Sequence, residues 1–286
     1  MKEPLPLCPV CAARMRPAFT KVVLFKYSVQ YFECGHCGLV TTEHPYWLAE
    51  AYSVAIADLD TGLVQRNIRL AGMASRIIQG NFDAEGAFVD FAGGYGLFVR
   101  LMRDSGFNFY WRDKYCTNIF ARHFSASESE KSYELVTAFE VFEHLTDPRK
   151  EITEIASLAD NVFFTTQVRP DSIDEVEDWW YLVPETGQHI TFYSVKALEL
   201  LAEMVGRQLY TDGTGAHIFS SRNDLLVFAG ADTRQRSFGS RLVSRIRRRV
   251  RGLLPQQLAA QRKKRKSLIW ADHEAIKSAL HGVSKQ

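Results

Sequence analysis

The chain has 286 residues, which is long enough for one large domain with appendages. Its 46% hydrophobic and 24% charged residues are ordinary for a globular protein, and no stretch approaches the roughly 20 apolar residues of a membrane span. The amino-terminal stretch carries an acid and two prolines without an apolar core. We therefore expect no signal peptide, a cytoplasmic location and reduced cysteines.

The small net charge of +2 conceals a division along the chain. Residues 1–233 carry a net charge of −11, whereas residues 234–286 carry +13. Such an acidic body with a basic tail says more about binding partners than about the fold.

Four of the five cysteines lie within the first 45 residues, as the pairs Cys8/Cys11 and Cys34/Cys37. Two CxxC pairs separated by 22 residues are typical of a four-cysteine zinc ribbon, and the intervening residues alternate like a β-hairpin. Residues 1–45 are therefore predicted to form a ribbon held together by a structural zinc ion. A redox role is less favoured, because no βαβ unit surrounds either pair.

From residue 46 to about residue 230, a helical lead-in is followed by alternating strands and helices. This alternation predicts an α/β domain with a doubly wound, largely parallel sheet. Residues 231–286 form the remaining basic tail. The predicted strands are 87–92, 107–111, 133–139, 162–166, 207–211 and 224–229, and the predicted helices are 46–80, 97–104, one beginning at 147–148 and 194–206.

A glycine-rich turn, VDFAGGYG at residues 89–96, joins the first of these strands to a helix. Such a turn lets a ligand approach the backbone and offers free N–H groups at the helix start. Asp113 follows Gly96 by 17 residues, at the end of the next strand, where a carboxylate can bind ribose hydroxyls. The GxGxxG pattern of nicotinamide-binding folds is not met.

This turn resembles the D-x-G-x-G-x-G motif of class I S-adenosylmethionine-dependent methyltransferases, with Ala92 in place of the first glycine. YELVTAFEVFEHL at residues 133–145 is also similar to a strand of that superfamily, and the resemblance covers about residues 80–230. It implies a seven-stranded Rossmann-like sheet with S-adenosylmethionine as cofactor. By this resemblance the cofactor contacts are Asp90, Ala92, Gly93, Gly94, Gly96, Asp113, Phe139 and Glu140.

Glu140, Glu143 and His144 follow the third predicted strand as E-x-x-E-H. This pattern resembles quinone-pathway O-methyltransferases, in which the same residue types bind a divalent cation, and carboxylates and imidazole suit such an ion. Alternatively, Glu143 caps backbone amides and His144 packs beneath the cofactor.

His189 lies in TGQHITFYS at residues 186–194, directly before a helix capped by Ser194. A zinc ribbon ahead of a methyltransferase domain resembles sugar methyltransferases that act on nucleotide-linked deoxysugars, whose Y-H-E-H-x-x-x-F-S stretch carries a catalytic histidine. His189 matches that histidine, although Thr186 and Gln188 replace the tyrosine and glutamate. Histidine can accept the proton of a hydroxyl near neutral pH, so the predicted catalytic residues are His189, His144 and Glu143. The alternative is a hydrogen-bonded loop histidine.

The basic tail contains 13 Lys or Arg and no acidic residue between Arg234 and Lys266. Its apolar residues recur at helical spacing among arginines over 241–254, which predicts a basic amphipathic helix, with Pro255 ending it and a second helical stretch running toward Gly282. We expect residues 234–266 to contact an anionic membrane surface or a glycosyltransferase complex. The alternative is a solvated charged segment.

Together these features favour an O-methyltransferase that acts on a sugar or cell-surface polysaccharide, as a cytoplasmic or peripheral membrane protein. An RNA methyltransferase is the first alternative, but the acidic body and the lack of an N/D-P-P-Y-like motif make nucleic acid a less favoured partner. A non-catalytic adaptor with a methyltransferase fold is the second. The aromatic stretch 178–181 could stack on sugar rings or simply cover a loop.

Overall fold

The computed structural model describes residues 5–53, 59–126, 133–228 and 265–283, with side chains of the last segment up to residue 279. The strands in chain order are β1 (Met15–Val23), β2 (Tyr27–Cys34), β3 (Val40–Thr42), β4 (Ala87–Phe91), β5 (Asn108–Arg112), β6 (Leu135–Phe139), β7 (Asn161–Thr165), β8 (Thr191–Phe192), β9 (Gln208–Thr211) and β10 (Ala216–Ser220). The α-helices are α1 (Leu48–Ala51), α2 (Leu63–Asn81), α3 (Leu97–Asp104), α4 (Pro148–Ala156), α5 (Ile173–Glu177), α6 (Val195–Met204) and α7 (Ile269–Val283).

The central sheet has the strand order β5-β4-β6-β7-β10-β9. Strands β5, β4, β6 and β7 run parallel, whereas β10 runs antiparallel to both β7 and β9. This arrangement confirms the predicted Rossmann-like α/β class. Of the seven expected strands, six are present in the described chain, and an isolated parallel bridge between Trp111 and Ser125 lies beside β5.

The core lies on both faces of this sheet, because successive residues of a strand point to opposite sides. In β4, Phe88 packs with the buried residues of α2 and α3, whereas Val89 packs with those of α4 and α6. Leu135 and Val136 of β6 divide in the same way. The parallel strands therefore read as continuous apolar runs.

Two predicted elements differ in position. The last strand is β10 at 216–220, not 224–229. Its sequence AHIFS is shorter, and all five of its residues are buried between β7 and β9. The more apolar segment after it pairs with no strand in the described chain, and its Leu226 is exposed. The predicted helix 46–80 is divided into α1 and α2, with residues 54–58 outside the described residues.

The amino-terminal segment forms a second sheet of order β1-β2-β3-β8. Its last strand comes from the other end of the chain, since Val40 and Thr41 of β3 pair with Phe192 and Thr191 of β8. The ribbon residues also share their core with the large domain, as Cys34 and Cys37 pack in the same buried cluster as Tyr193 of the 186–194 loop. The 186–194 loop is therefore held between the two sheets.

Helix α7 packs on α3, on the side of the sheet where β4 and β5 begin. Asp272 accepts hydrogen bonds from Arg103 and Arg100, and Arg265 donates to Gly106 O and pairs with Glu85. The predicted helix toward Gly282 is thus present, whereas the predicted basic amphipathic helix at 241–254 lies outside the described residues. Among the helices of the described chain, none combines the length and apolarity that crossing a membrane requires.

Candidate active site

The predicted cofactor loop follows β4 and leads into α3. Ala92, Gly94 and Gly96 adopt positive φ angles of 54°, 54° and 84°, a left-handed conformation that glycine accepts without strain. Ala92 adopts it despite its Cβ atom, so the backbone of the motif is retained where the glycine is missing. No side chain caps the amino end of α3.

Gly93 shows how tightly this loop is packed. A Cβ atom on Gly93 would lie 2.8 Å from Asp90 Oδ2 and 3.0 Å from Trp111 Cδ1. Trp111 also donates from Nε1 to Gly94 O at 2.8 Å, which ties the loop to the end of β5. Position 93 thus requires glycine, because a Cβ atom there would contact Asp90 and Trp111 too closely.

Asp90 is buried at the end of β4, where Thr137 Oγ1 of the neighbouring strand donates to its Oδ1 at 2.6 Å. Burial raises the pKa of Asp90 to about 7, and the hydrogen bond from Thr137 opposes that rise. Near neutral pH this carboxyl group can therefore gain or lose a proton when a charged ligand binds beside it.

Asp113 lies directly after β5, and the structure brings it to the loop as predicted. Gly94 N donates to its Oδ2 at 3.0 Å, while the amides of Tyr115 and Cys116 donate to Oδ1 at 2.7 and 2.8 Å. The carboxylate is thereby oriented at the edge of the loop, where the carboxyl ends of parallel strands form a ligand-binding crevice.

Phe139 and Glu140 stand at the carboxyl end of β6. The ring of Phe139 packs edge-on against Phe98 and Phe163, with ring centroids 4.9 and 5.0 Å apart, so its side chain belongs to the core. Glu140 has a φ of 54°, uncommon for a residue with a side chain, and Thr165 Oγ1 donates to its Oε1 at 2.6 Å. Burial and the neighbouring Glu143 raise the pKa of Glu140.

Glu143, His144 and His189 come together, although 45 residues separate the two histidines in the sequence. One ligand atom of each, a carboxylate oxygen or a ring nitrogen, lies within 4.8 Å of the other two. The two imidazole centroids are 4.9 Å apart, with the rings nearly perpendicular. The three predicted catalytic residues therefore form one cluster beside Glu140. Glu140 itself is not part of this group and points to Thr165 instead.

Each imidazole of the cluster is oriented by a backbone carbonyl. His144 Nδ1 lies 2.9 Å from Gln188 O, and His189 Nδ1 lies 2.7 Å from Tyr181 O. Because a carbonyl oxygen can only accept, Nδ1 carries a proton in both rings, and in a neutral ring Nε2 keeps its lone pair. Burial lowers the pKa of His189 to about 3, with His144 adding to the effect, so His189 is neutral at physiological pH.

Glu143 is the most buried member of the cluster, with no exposed surface. Tyr181 donates from its hydroxyl to Glu143 Oε1 at 2.7 Å, whereas Glu143 Oε2 has no hydrogen-bond partner among the described residues. Glu143 does not cap backbone amides through that oxygen. Tyr181 belongs to the aromatic stretch 178–181, but its contact with Glu143 could not be anticipated from the sequence.

Hydrogen bonds join nearly every residue of the 186–194 loop to neighbouring segments. Trp47 donates from Nε1 to Gly187 O, Gln188 donates from Nε2 to Ala51 O, and Ile190 N donates to Glu143 O, each at 2.9 Å. Ser194 caps α6, as predicted, and also donates to Cys37 O in the second cysteine turn. These bonds place His189 with little freedom to move.

The sequence patterns did not identify two arginines of α2 that lie near the carboxylates of this site. Arg66 is paired with Asp60 at 2.8 and 2.6 Å, and Glu140 and Glu143 add to the rise of its pKa, so it lies near both carboxylates. Arg69 lines a small polar cavity next to Glu140. Their spacing of three residues, which places both on one helical face, was the available signal. The other residues around the cavity are Met73, Thr165, Gln167, Asp212, Thr214, Gly215 and Ala216.

A further buried histidine of the large domain, His217, is structural. His217 has no exposed surface, and its ring nitrogens contact Thr211 Oγ1 at 2.8 Å and Thr166 O at 3.0 Å. Tyr52, by contrast, lies edge-on to His144, with a ring separation of 6.2 Å.

The four cysteines of the amino-terminal segment also converge. Their Sγ atoms lie within 4.8 Å of one another, with Cys8–Cys37 and Cys11–Cys34 separations of 3.5 Å. A hydrogen bond with Cys37 lowers the pKa of Cys8 to about 5. Such a group of four thiols can hold one tetrahedral metal ion.

A family model described as a methyltransferase domain matches residues 65–211, half of the chain. None of the curated proteins compared with the chain matches it. Similar solved structures include CalO1, a methyltransferase of calicheamicin biosynthesis (16% identity, 62% of this chain and 60% of that one, TM-score 0.44). An O-methyltransferase family protein from Burkholderia thailandensis is 13% identical over 62% of this chain and 64% of that one, with a TM-score of 0.42. A possible histamine N-methyltransferase from Thermotoga maritima is 13% identical over 62% of this chain and 99% of that one, with a TM-score of 0.43. The chain spans less than two thirds of the length of the first two proteins.

Proposed function

We propose that this chain, which belongs to the methyltransferase domain family, uses S-adenosylmethionine to methylate a hydroxyl oxygen of a sugar or glycan. The observation that carries the proposal is the cluster of Glu143, His144 and His189 at the ligand-binding edge of the sheet. It offers two imidazole rings and a carboxylate to an incoming hydroxyl.

Methyl transfer requires an in-line acceptor and a place for its proton. As the acceptor oxygen bonds to the methyl carbon, the bond from that carbon to sulfur breaks, S-adenosylhomocysteine leaves, and the hydroxyl proton is lost. The low pKa of His189 makes it a weak proton acceptor by itself. Since the two ring centroids are only 4.9 Å apart, a positive charge on one ring disfavours a positive charge on the other.

The surroundings favour a hydroxylated substrate. The cavity next to Glu140 is lined mainly by polar side chains, among them Arg69, Gln167 and Asp212. Trp180 is 71% exposed and adjoins Tyr181, whose carbonyl oxygen orients His189. Polar groups that hydrogen-bond hydroxyls, together with an exposed aromatic face, suit a sugar ring better than an apolar acceptor.

The test is methyl transfer from S-adenosylmethionine labelled with deuterium on the methyl group. The full chain is incubated with nucleotide-linked sugars, with envelope polysaccharide or with RNA, and each product is analysed by mass spectrometry. We expect a methyl ether on the sugar or glycan, which is lost in His189→Ala and kept in His273→Ala, whose ring is exposed on α7. Methylation of RNA alone, or labelled nitrogen or carbon in place of oxygen, would overturn the proposal.

For the amino-terminal segment we propose a structural zinc ion bound by the four cysteine thiolates. In support, Ser194 and Lys196 of the α6 start bond to the backbone oxygens of Cys37 and His36, which couples the cysteine cluster to the loop that carries His189. Zinc would therefore order the catalytic loop indirectly.

We propose further that residues 234–266 bind an anionic membrane surface, on the basis of their charge alone. Full-length protein should sediment with phosphatidylglycerol vesicles and remain in solution with phosphatidylcholine vesicles. The triple variant Arg247→Glu, Arg248→Glu and Arg249→Glu should lose sedimentation but keep methyl transfer. Equal sedimentation of the variant would refute membrane binding through this segment.

A further inference from the structure

We propose that Glu143, His144 and His189 form a binding site for a divalent transition-metal ion, at which the acceptor hydroxyl is held. The three donor atoms already lie within 4.8 Å of one another. Ligands of a tetrahedral ion stand about 2.0–2.2 Å from it and hence about 3.4 Å from one another, so a contraction of at most about 1.4 Å between the farthest donors completes the site.

The histidine orientation is the first argument. In both rings Nδ1 donates to a backbone carbonyl, of Gln188 or of Tyr181, so Nε2 is the nitrogen left for a metal ion, and the two ring centroids are 4.9 Å apart. Metal-binding histidines are characteristically held in this way, because the outer hydrogen bond selects the tautomer and directs the free nitrogen. A pair of packed loop histidines has no need for two such anchors.

The orphaned carboxylate oxygen is the second, independent argument. Glu143 is fully buried, and its Oε2 lacks a hydrogen-bond partner in the described chain, while Oε1 is bonded to Tyr181. A buried charge without a partner is costly, so such groups are normally paired or bound to a metal. Among the described residues, a cation between Glu143 and the two imidazoles would satisfy it.

The ligand set also decides which ion is bound. The sequence pattern pointed to Glu140, Glu143 and His144, but Glu140 bonds to Thr165, and His189 takes the third position. Two imidazoles with one carboxylate suit manganese, iron, cobalt or zinc better than magnesium or calcium, which prefer oxygen. Three protein ligands leave coordination positions open for oxygen atoms of the acceptor.

When bound, the ion would act as a Lewis acid that makes a hydroxyl proton easier to lose. The protein residues then have different tasks from those of a general base: His144 and His189 hold the ion, Tyr181 orients Glu143, and the proton goes to solvent. Vicinal oxygens, as in a cis-diol or a hydroxy acid, are the acceptor chemistry that fits adjacent open positions. This role rests on the proposed function, whereas metal binding does not.

The experiment titrates chelator-treated, full-length protein with Mn²⁺ alone and follows free Mn²⁺ by electron paramagnetic resonance. Mn²⁺ is chosen because it favours oxygen and nitrogen ligands over the thiolates of the cysteine cluster. We expect one bound ion per chain with magnetic coupling to imidazole nitrogen. Glu143→Gln and His189→Ala should each weaken binding at least about tenfold, Tyr181→Phe should weaken it about tenfold, and Glu140→Gln should leave it within about twofold.

Without metal, Glu143→Gln should unfold at the same temperature as the parent or higher, because it replaces a buried carboxylate of which one oxygen lacks a hydrogen-bond partner among the described residues. A purely structural Glu143 would give the opposite shift. Absence of Mn²⁺ binding at millimolar concentration, or binding that survives both Glu143→Gln and His189→Ala, would overturn the site. So would binding that depends on Glu140 but not on His189. None of these readouts uses cofactor or acceptor, so a failure of sugar methylation is distinguishable from a failure of this site.

Discussion

Within helix α7, the buried carboxylate of Asp272 makes the hydrogen bonds to α3, so a single conservative change can test how the helix is held. Asp272 Oδ1 accepts from Arg103 at 2.7 Å, and Oδ2 accepts from Arg103 at 2.9 Å and Arg100 at 2.8 Å. The side chains of Asp272 and Arg103 are only 4% and 6% exposed. We predict that Asp272→Asn, which keeps the shape and removes the charge, detaches this helix.

The expected loss of docking free energy is limited by the contacts that Arg103 retains in the variant. Breaking a buried ion pair by removing one partner costs about 3–5 kcal/mol, since the other charge stays buried. Arg103 still donates to Asn108 Oδ1 and Phe109 O, and its guanidinium still stacks on Phe124 at 3.7 Å. Arg100 is partly exposed and can turn to solvent. We therefore place the loss near the lower limit, at about 3 kcal/mol, which is about a hundredfold in the docking equilibrium.

Hydrogen exchange read by mass spectrometry measures this equilibrium directly. Amides of residues 269–283 should exchange about a hundredfold faster in Asp272→Asn, whereas amides of β4 and β6 should change little. Glu274→Gln is the matched control, because Glu274 is an exposed acid of the same helix whose contacts to His273 and Lys277 are 3.9 Å long. Equal protection of α7 in both variants would refute the reasoning.

The pH dependence of docking has a definite sign. Burial alone would raise the pKa of Asp272, but hydrogen bonds from Arg103 and Arg100 outweigh it and hold the pKa below its usual value. A carboxyl with a depressed pKa contributes stability above its unfolded pKa of about 3.9 and loses it as the pH falls through the folded value. The parent and Asp272→Asn should therefore differ constantly from pH 7 to about 5 and converge below about pH 4.

Three further predictions concern the cofactor loop and the cysteine cluster. Gly93→Ala should weaken S-adenosylmethionine binding at least about tenfold in calorimetry, because the added Cβ would lie 2.8 Å from Asp90 Oδ2. Gly62→Ala is the control, since its added Cβ meets no atom within 4 Å and the variant should bind the cofactor normally. Asp113→Asn should also lower that affinity by about tenfold, since a carboxylate accepts from ribose hydroxyls better than an amide does, and unchanged affinity would remove Asp113 from the site. Cys34→Ser should lose bound zinc by elemental analysis and melt at a lower temperature, and retained zinc would exclude the four-cysteine site.

The positions of the predicted cofactor-loop residues could be inferred because these residues are close in sequence and their backbone requirements are local. The loop 89–96 must turn sharply from a strand into a helix, and the positive φ angles at Gly94 and Gly96 need glycine. Asp113 ends the adjacent parallel strand, so its place beside the loop follows from the strand order alone. The cysteine cluster is similar, since CxxC spacing by itself directs two thiols to one point.

The proposed acceptor side, with Glu143, His144 and His189, depended on tertiary structure. His189 contacts His144 because β8 pairs with β3 of the amino-terminal sheet, which places the 186–194 loop beside the end of β6. No local sequence pattern predicts the pairing of β8 with β3. The E-x-x-E-H spacing could not show that Thr165 from the next strand holds Glu140 away from the cluster. Nor could it show that Glu143 is buried with one oxygen unpaired.

Sequence by itself thus determined the α/β class, the cofactor loop and the cysteine cluster, because these depend on spacings within one or two elements. The position of β10, the attachment of α7 through Asp272 and the joining of Glu143, His144 and His189 were decided only by the tertiary structure. The physical reason is the same in each case. These features depend on which distant segment fills a place between strands or neutralises a buried charge, and that competition is settled by packing and desolvation over the whole fold.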